Sequence, residues 1–145
     1  MTAINPYLNF NGTAEEAFNL YKSVFGGEFG MIARMKDTPP QPWMENLSES
    51  DKNKIMHISL TLPTGGVLMA SDVLESSGFT VEPGNLYNLS ITAESEEEAN
   101  TMFNALSEGG KVRMAMEKTF WGAYFGMCTD RYGIQWMINY DYPRE

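Results

Sequence analysis

The chain has 145 residues, with 43% hydrophobic and 20% charged side chains and a formal net charge of −9. That length suits one domain with a real core, since a domain of this size buries roughly 70% of its unfolded surface. The acidic balance argues against nucleic-acid partners, which need clustered Lys and Arg, and against anionic membranes. One cysteine, Cys128, excludes an intrachain disulfide, and its apolar strand marks it as a buried thiol. No run approaches the roughly 18 apolar residues of a membrane helix, and the N-terminus lacks a basic region followed by an apolar core, so a cytoplasmic protein is expected.

Taken in chain order, Ile4 to Phe10 reads as a strand. Thr13 opens TAEE with Glu16 three residues on, the pattern of a capping box. The spacing predicts a helix to about Phe25, with Ala17, Leu20, Tyr21 and Val24 on its apolar face, stopped by Gly26-Gly27. Glu28 to Met35 is the next strand. Asp37 to Asn53 follows, a long polar segment whose three prolines forbid a central strand. A helical turn is expected near Trp43 to Leu47. Segments of this length often serve as lids or interface arms.

KIMHISLTLP alternates, with Ile58, Leu60 and Leu62 on one face and His57, Ser59 and Thr61 on the other. A TGG turn returns the chain through Val67 to Asp72, and Ser76 to Asn85 reads as a connector. The pattern then restarts: a strand over Leu86 to Thr92, a helix over Ser95 to Gly110 with a Ser95/Glu98 capping box, a strand KVRMAM, a loop EKTFWG, and a closing hairpin of AYFGMCTD and GIQWMINY. In the last strand Ile134, Trp136 and Ile138 point one way, while Gln135, Met137 and Asn139 point the other.

This is an internal repeat. Ala17 matches Ala99, Leu20 matches Met102, Tyr21 matches Phe103, Val24 matches Leu106, Gly26-Gly27 matches Gly109-Gly110, and Met31 matches Met114. Each half is βαβββ, over about residues 1–75 and 84–142, within a single domain 1–145. One helix covers one face of each sheet, so the other faces are expected to curve around a shared cup. The expected class is α+β: two βαβββ modules, each a curved mixed sheet under one helix. Ile58, Leu60 and Leu62, with Ile134, Trp136 and Ile138, belong under the helices. A one-residue slip would reverse each assignment.

Paired βαβββ modules resemble the vicinal oxygen chelate superfamily of glyoxalases, extradiol dioxygenases and bleomycin-resistance proteins. The closer resemblance is to its PhnB-like branch, at times labelled demethylubiquinone-methyltransferase-like. It rests on NPYLNFNGTAEEAFNLYKSVFGG, MHISLTLPTGGVLMASD and the pattern F-W-G-x-x-x-G-x-x-x-D-x-x-G-x-x-W-x-I from Phe120 to Ile138, and it covers the whole chain. Carried over residue by residue, the metal-ligand positions of metal-using relatives fall near Pro6, Ala70 and Leu86 and on Met137. None is a hard-metal ligand, so no metal and no cofactor is expected. The methyltransferase label finds no glycine-rich strand-to-helix loop here.

Candidate chemistry remains. His57, the only histidine, and Asp72 on the adjacent strand could form a general-base pair in the cup, or a structural hydrogen bond closing the hairpin. Glu75, Glu117 or Asp130 could join them in a displaced metal site, although Asp130 in DRYG suits a turn that bonds its own backbone. Trp43, Trp121, Tyr124, Phe120 and Tyr87 could wall the cup, with Ser59, Gln135, Met137, Asn139, Met69 and Met127 as further lining. The expected function is small-molecule binding in a metal-free cup. The alternative is a lyase, isomerase, transferase or dioxygenase of the superfamily using His57 and Asp72 or a displaced divalent metal. The resemblance implies a homodimer.

Overall fold

The computed structural model describes residues 2–143, apart from the side chain of Trp43. The chain divides into two compact units, Met1–Glu82 and Pro83–Glu145, with the boundary inside the connector. Each is a βαβββ module.

In the first unit, β1 (Tyr7–Phe10), β2 (Glu28–Arg34), β3 (Ile55–Thr61) and β4 (Val67–Asp72) form a sheet of order β1-β4-β3-β2, and α1 (Ala14–Phe25) lies on one face. β1 runs parallel to β4, and the other pairs are antiparallel. β1 starts three residues later than the expected Ile4. Pro6 has no N–H to give a ladder, and the pairing begins where the Met69 N–H donates to the Pro6 carbonyl, at 3.1 Å.

The buried stripe of α1 is Ala14, Ala17, Phe18 and Tyr21. Leu20 and Val24, expected on that stripe, are only half-buried. The difference is one of rotation: Phe18 packs edge-on against Phe10 of β1, with ring centroids 6.3 Å apart, and lies 5.6 Å from Tyr21. Three large rings set the helix azimuth because their burial outweighs that of two aliphatics. The expected capping box is also replaced. The Thr13 side chain makes no cap bond. Instead the Asp72 carboxylate, arriving from β4, accepts the Ala14 N–H at 3.0 Å.

The segment 37–53 holds a short turn, Pro42–Met44, and a one-turn helix α2, Glu49–Lys52, capped by the Ser48 hydroxyl. Arg34 anchors it, donating through its guanidinium to the Asn53 carbonyl at 3.0 Å and to Glu15 at 2.7 Å.

The second unit repeats the plan. Its sheet has the order β5-β8-β7-β6, from β5 (Leu89–Thr92), β6 (Lys111–Lys118), β7 (Ala123–Thr129) and β8 (Gln135–Asp141), under α3 (Glu96–Ser107). Ala99, Phe103 and Leu106 are the buried residues of α3. Ser95 caps it as expected, accepting the Glu98 N–H at 3.0 Å. The returning Glu98 carboxylate reaches the N–H of Glu94 rather than that of Ser95. β5 begins at Leu89, not Leu86, which is 99% exposed. The residues before it are held by side chains instead of a ladder: the Gln135 amide donates to the Gly84 carbonyl, and Arg113 donates to Asn88 at 2.5 Å.

The matched glycine pairs do the same job in both units. A Cβ on Gly27 would collide with the Thr61 carbonyl, and one on Gly110 with the Thr129 carbonyl. Each helix exit therefore lies directly against the neighbouring strand's backbone. Among the described residues, no helix is long and apolar enough to cross a membrane.

Candidate functional site

Alternation along each strand separates two faces. Beneath α1 lie Leu8, Phe10, Ile58, Leu60, Leu68, Ala70 and Asp72, all buried. Tyr7, Asn9, His57, Ser59, Met69 and Ser71 occupy the opposite, helix-free face, as the ladder pairs Tyr7/Met69, Asn9/Ser71 and Ser59/Met69 require.

This separates the expected catalytic pair. Asp72 sits beneath the helix, and besides Ala14 its carboxylate accepts the Ile55 N–H at 2.8 Å. It is a structural carboxylate that joins β4, α1 and the start of β3. His57 is on the other face, and its Nδ1 lies 3.2 Å from the Tyr7 hydroxyl. The partner that sequence reasoning missed is Tyr7. His57 and Asp72 differ in which face their pleat presents, and Tyr7 reaches His57 only through the pairing of β1 with β4.

In the second unit Cys128, Trp136 and Ile138 are buried on the side of α3. Tyr124 shares that side: it pairs with Tyr140, and its hydroxyl donates to Asn100 of α3 at 2.8 Å. It therefore supports the helix, and its expected place on the cup wall is corrected. The helix-free face carries Gln135, Met137 and Asn139, with Met127 beside Met137 on β7, Ser90 beside Met137 on β5, and Phe125 beside Asn139. Trp121, in the β6–β7 turn, is 58% exposed and stacks edge-on with Phe120 and Phe125 at 5.0 and 6.1 Å. Gln135 is buried through its bond to Gly84, whereas the Asn139 amide donates to Asp141 at 3.0 Å. Ser59 accepts the Met31 N–H at 3.0 Å. Trp43, also expected to line a cup, has its side chain outside the described residues.

Asp130 behaves as a turn residue, accepting the Tyr132 and Ile134 N–H groups and the Trp136 indole N–H at 2.9, 3.0 and 2.9 Å. Burial pushes the Cys128 thiol up to about 11, far from the low values of reactive cysteines.

The residues do not fit the superfamily's divalent metal. Met137 is on the helix-free face but offers a thioether. Ala70 is turned beneath α1, Leu86 precedes its strand, and Pro6 contributes its carbonyl to the ladder. Among the described residues no group of three or more His, Cys, Asp or Glu side chains could hold a metal ion.

A family model described as 3-demethylubiquinone-9 3-methyltransferase matches residues 2–139. The chain is 30% identical to Protein YjdN of Escherichia coli, over 94% of this chain and 93% of YjdN. The crystal structure of protein PA1353 from Pseudomonas aeruginosa is 39% identical, with a TM-score of 0.83 over 97% of this chain and 98% of that one. The PhnB protein of Bacillus cereus is 30% identical, with a TM-score of 0.76 over 96% and 99%.

Proposed function

We propose a function for a chain that belongs to the 3-demethylubiquinone-9 3-methyltransferase family, a PhnB-like branch of the glyoxalase/bleomycin resistance/dioxygenase superfamily. It binds a small organic molecule on the helix-free face of its C-terminal sheet, around Met137, without a hard-metal centre. The observation that carries this reading is the pairing of Met137 with Met127 and Ser90, flanked by Phe125 and Asn139. Two flexible thioethers give an adaptable apolar floor, and an amide and a hydroxyl at its margins orient a ligand. The activity in the family's name would need a methyl-donor site. The glycine pairs Gly26-Gly27 and Gly109-Gly110 instead end helices. The binding form is a homodimer in this proposal, and sedimentation of the purified chain tests that.

Methionine-methyl NMR against a set of small aromatic and aliphatic fragments checks the site. Binders should move the Met127 and Met137 methyls saturably, and Met137→Ala should weaken them roughly tenfold. Binders that leave both methyls unmoved would overturn the proposed location. Dialysis against zinc, nickel and manganese, then elemental analysis, should leave well under one equivalent. One retained equivalent that disappears in His57→Ala would overturn the metal-free reading.

A further inference from the structure

We propose that the helix-free face of the N-terminal sheet carries a separate binding site, centred on His57 and Tyr7, for a small monocarboxylate. Tyr7 reaches from β1 across β4 to the His57 ring on β3, with hydroxyl to Nδ1 at 3.2 Å and ring centroids 5.7 Å apart. When Tyr7 donates to Nδ1, the ring hydrogen sits on Nε2. When the imidazolium forms, the Tyr7 oxygen accepts from Nδ1–H and Nε2 still carries its hydrogen. In both states Nε2–H is a donor directed away from Tyr7.

A second donor stands beside it. Ser59 uses its oxygen to accept the Met31 N–H, which leaves its O–H to donate. The ring of Tyr7, 47% exposed, and the neighbouring Met69 offer apolar contact for the body of a ligand.

Charge selects the class. The strand positions around His57 on this face are Asn9, Ala33, Ser59, Met69 and Ser71, all uncharged. The nearest carboxylate in sequence on β4, Asp72, is buried on the opposite face. Arg34, next along β2, turns its guanidinium to Glu15 and to the Asn53 carbonyl, and its backbone N–H bonds Asp37. Lys54, just before β3, is paired with Asp51 at 2.9 Å. The carboxylate that β2 places on this face, Glu28, stands opposite Thr61, four residues along β3 from His57. Among the described strand positions next to His57 there is thus no counter-ion, and a single carboxylate supplies one while accepting from Nε2–H and the Ser59 hydroxyl.

The test uses the intact chain with ¹⁵N-labelled imidazole, which gives one ring to follow because there is one histidine. Benzoate is the probe. It should shift the His57 Nε2 resonance saturably, with half-saturation roughly tenfold lower at about pH 6 than at about pH 8, because a charged imidazole holds a carboxylate more tightly than a neutral one. Tyr7→Phe, which keeps the ring, should weaken binding about threefold or more. His57→Gln, followed through the Ser59 and Ser71 amides, should abolish the pH dependence. No saturable shift at the lower pH, equal half-saturation at both, or pH-dependent binding retained in His57→Gln would each overturn the proposal. Benzoate that moves the Met127 and Met137 methyls while His57 stays still would also overturn it, and would leave the C-terminal site standing.

Discussion

At the scale of single residues, Asp72 shows how a carboxylate can look catalytic and be architectural. Two backbone N–H groups, of Ala14 and Ile55, terminate on its oxygens in a buried setting. Asp72→Ala leaves both donors unpaired and should destabilise the fold by about 2–4 kcal/mol, while Asp72→Asn, which retains one oxygen, should cost about half as much. Urea denaturation should show a lower midpoint at unchanged slope. The His57 ring resonances should hold their positions in Asp72→Asn, because the two side chains occupy opposite faces; a changed His57 titration would revive the dyad. The sequence left the pair open between a general base and a structural bond for a physical reason. His57 to Asp72 spans a hairpin whose turn sets parity, and TGG alone does not state whether the ladder closes in or out of step. Apolar alternation, by contrast, placed Ile58, Leu60, Trp136 and Ile138 under their helices without any knowledge of partners.

At the scale of elements, the recurrence of helix, glycine pair and strand was legible because it uses local chemistry. Helix stops, capping serines and period-two strands carry their own signals. The starts of β1 and β5 were not legible, since they depend on which neighbour supplies a ladder or a side-chain bond, whereas β2, β4, β6 and β7 begin where expected. The azimuth of α1 depended likewise on Phe10, eight residues before Phe18 but beneath it in space. The glycine pairs give this level its prediction. Gly110 faces a close strand carbonyl without a left-handed backbone, whereas Gly27 combines a φ of +92° with a close carbonyl. Gly65, in the TGG turn, has φ of +98° and nothing near its missing Cβ. Substitution by Ala should therefore cost about 1 kcal/mol at Gly65, from backbone strain alone. At Gly110 and Gly27 it should cost about 3 kcal/mol or more, because strand backbone must shift. Thermal unfolding of the three variants side by side checks the order. A Gly65 variant as damaged as the other two would refute the close-approach account.

At the scale of the whole molecule, electrostatics works against compaction. The chain carries 19 acidic against 10 basic side chains, with a sequence pI near 4.5. Among the described residues three ion pairs offset part of this: Arg34–Glu15, Lys52–Glu49 and Lys54–Asp51. Lys52–Glu49 is well exposed and the other two are partly exposed, so each contributes at most about 1 kcal/mol and is weakened by salt. Self-repulsion of nine uncompensated charges is weakened by salt as well, and the two effects have opposite signs for stability. The repulsive term is the larger. It sums over many pairs at separations of 10–30 Å by rough domain geometry, which remain coupled when the screening length is about 30 Å at 0.01 M and vanish at a few ångströms. The ion pairs are in direct contact and lose only part of their attraction. Raising sodium chloride from about 0.01 to 0.3 M at neutral pH should therefore raise Tm by several degrees. The same change near the pI, where net charge is small, should leave Tm almost still or lower it. A drop in Tm with salt at neutral pH would mean that the contacts centred on Arg34 and Lys54 outweigh the field of the whole chain.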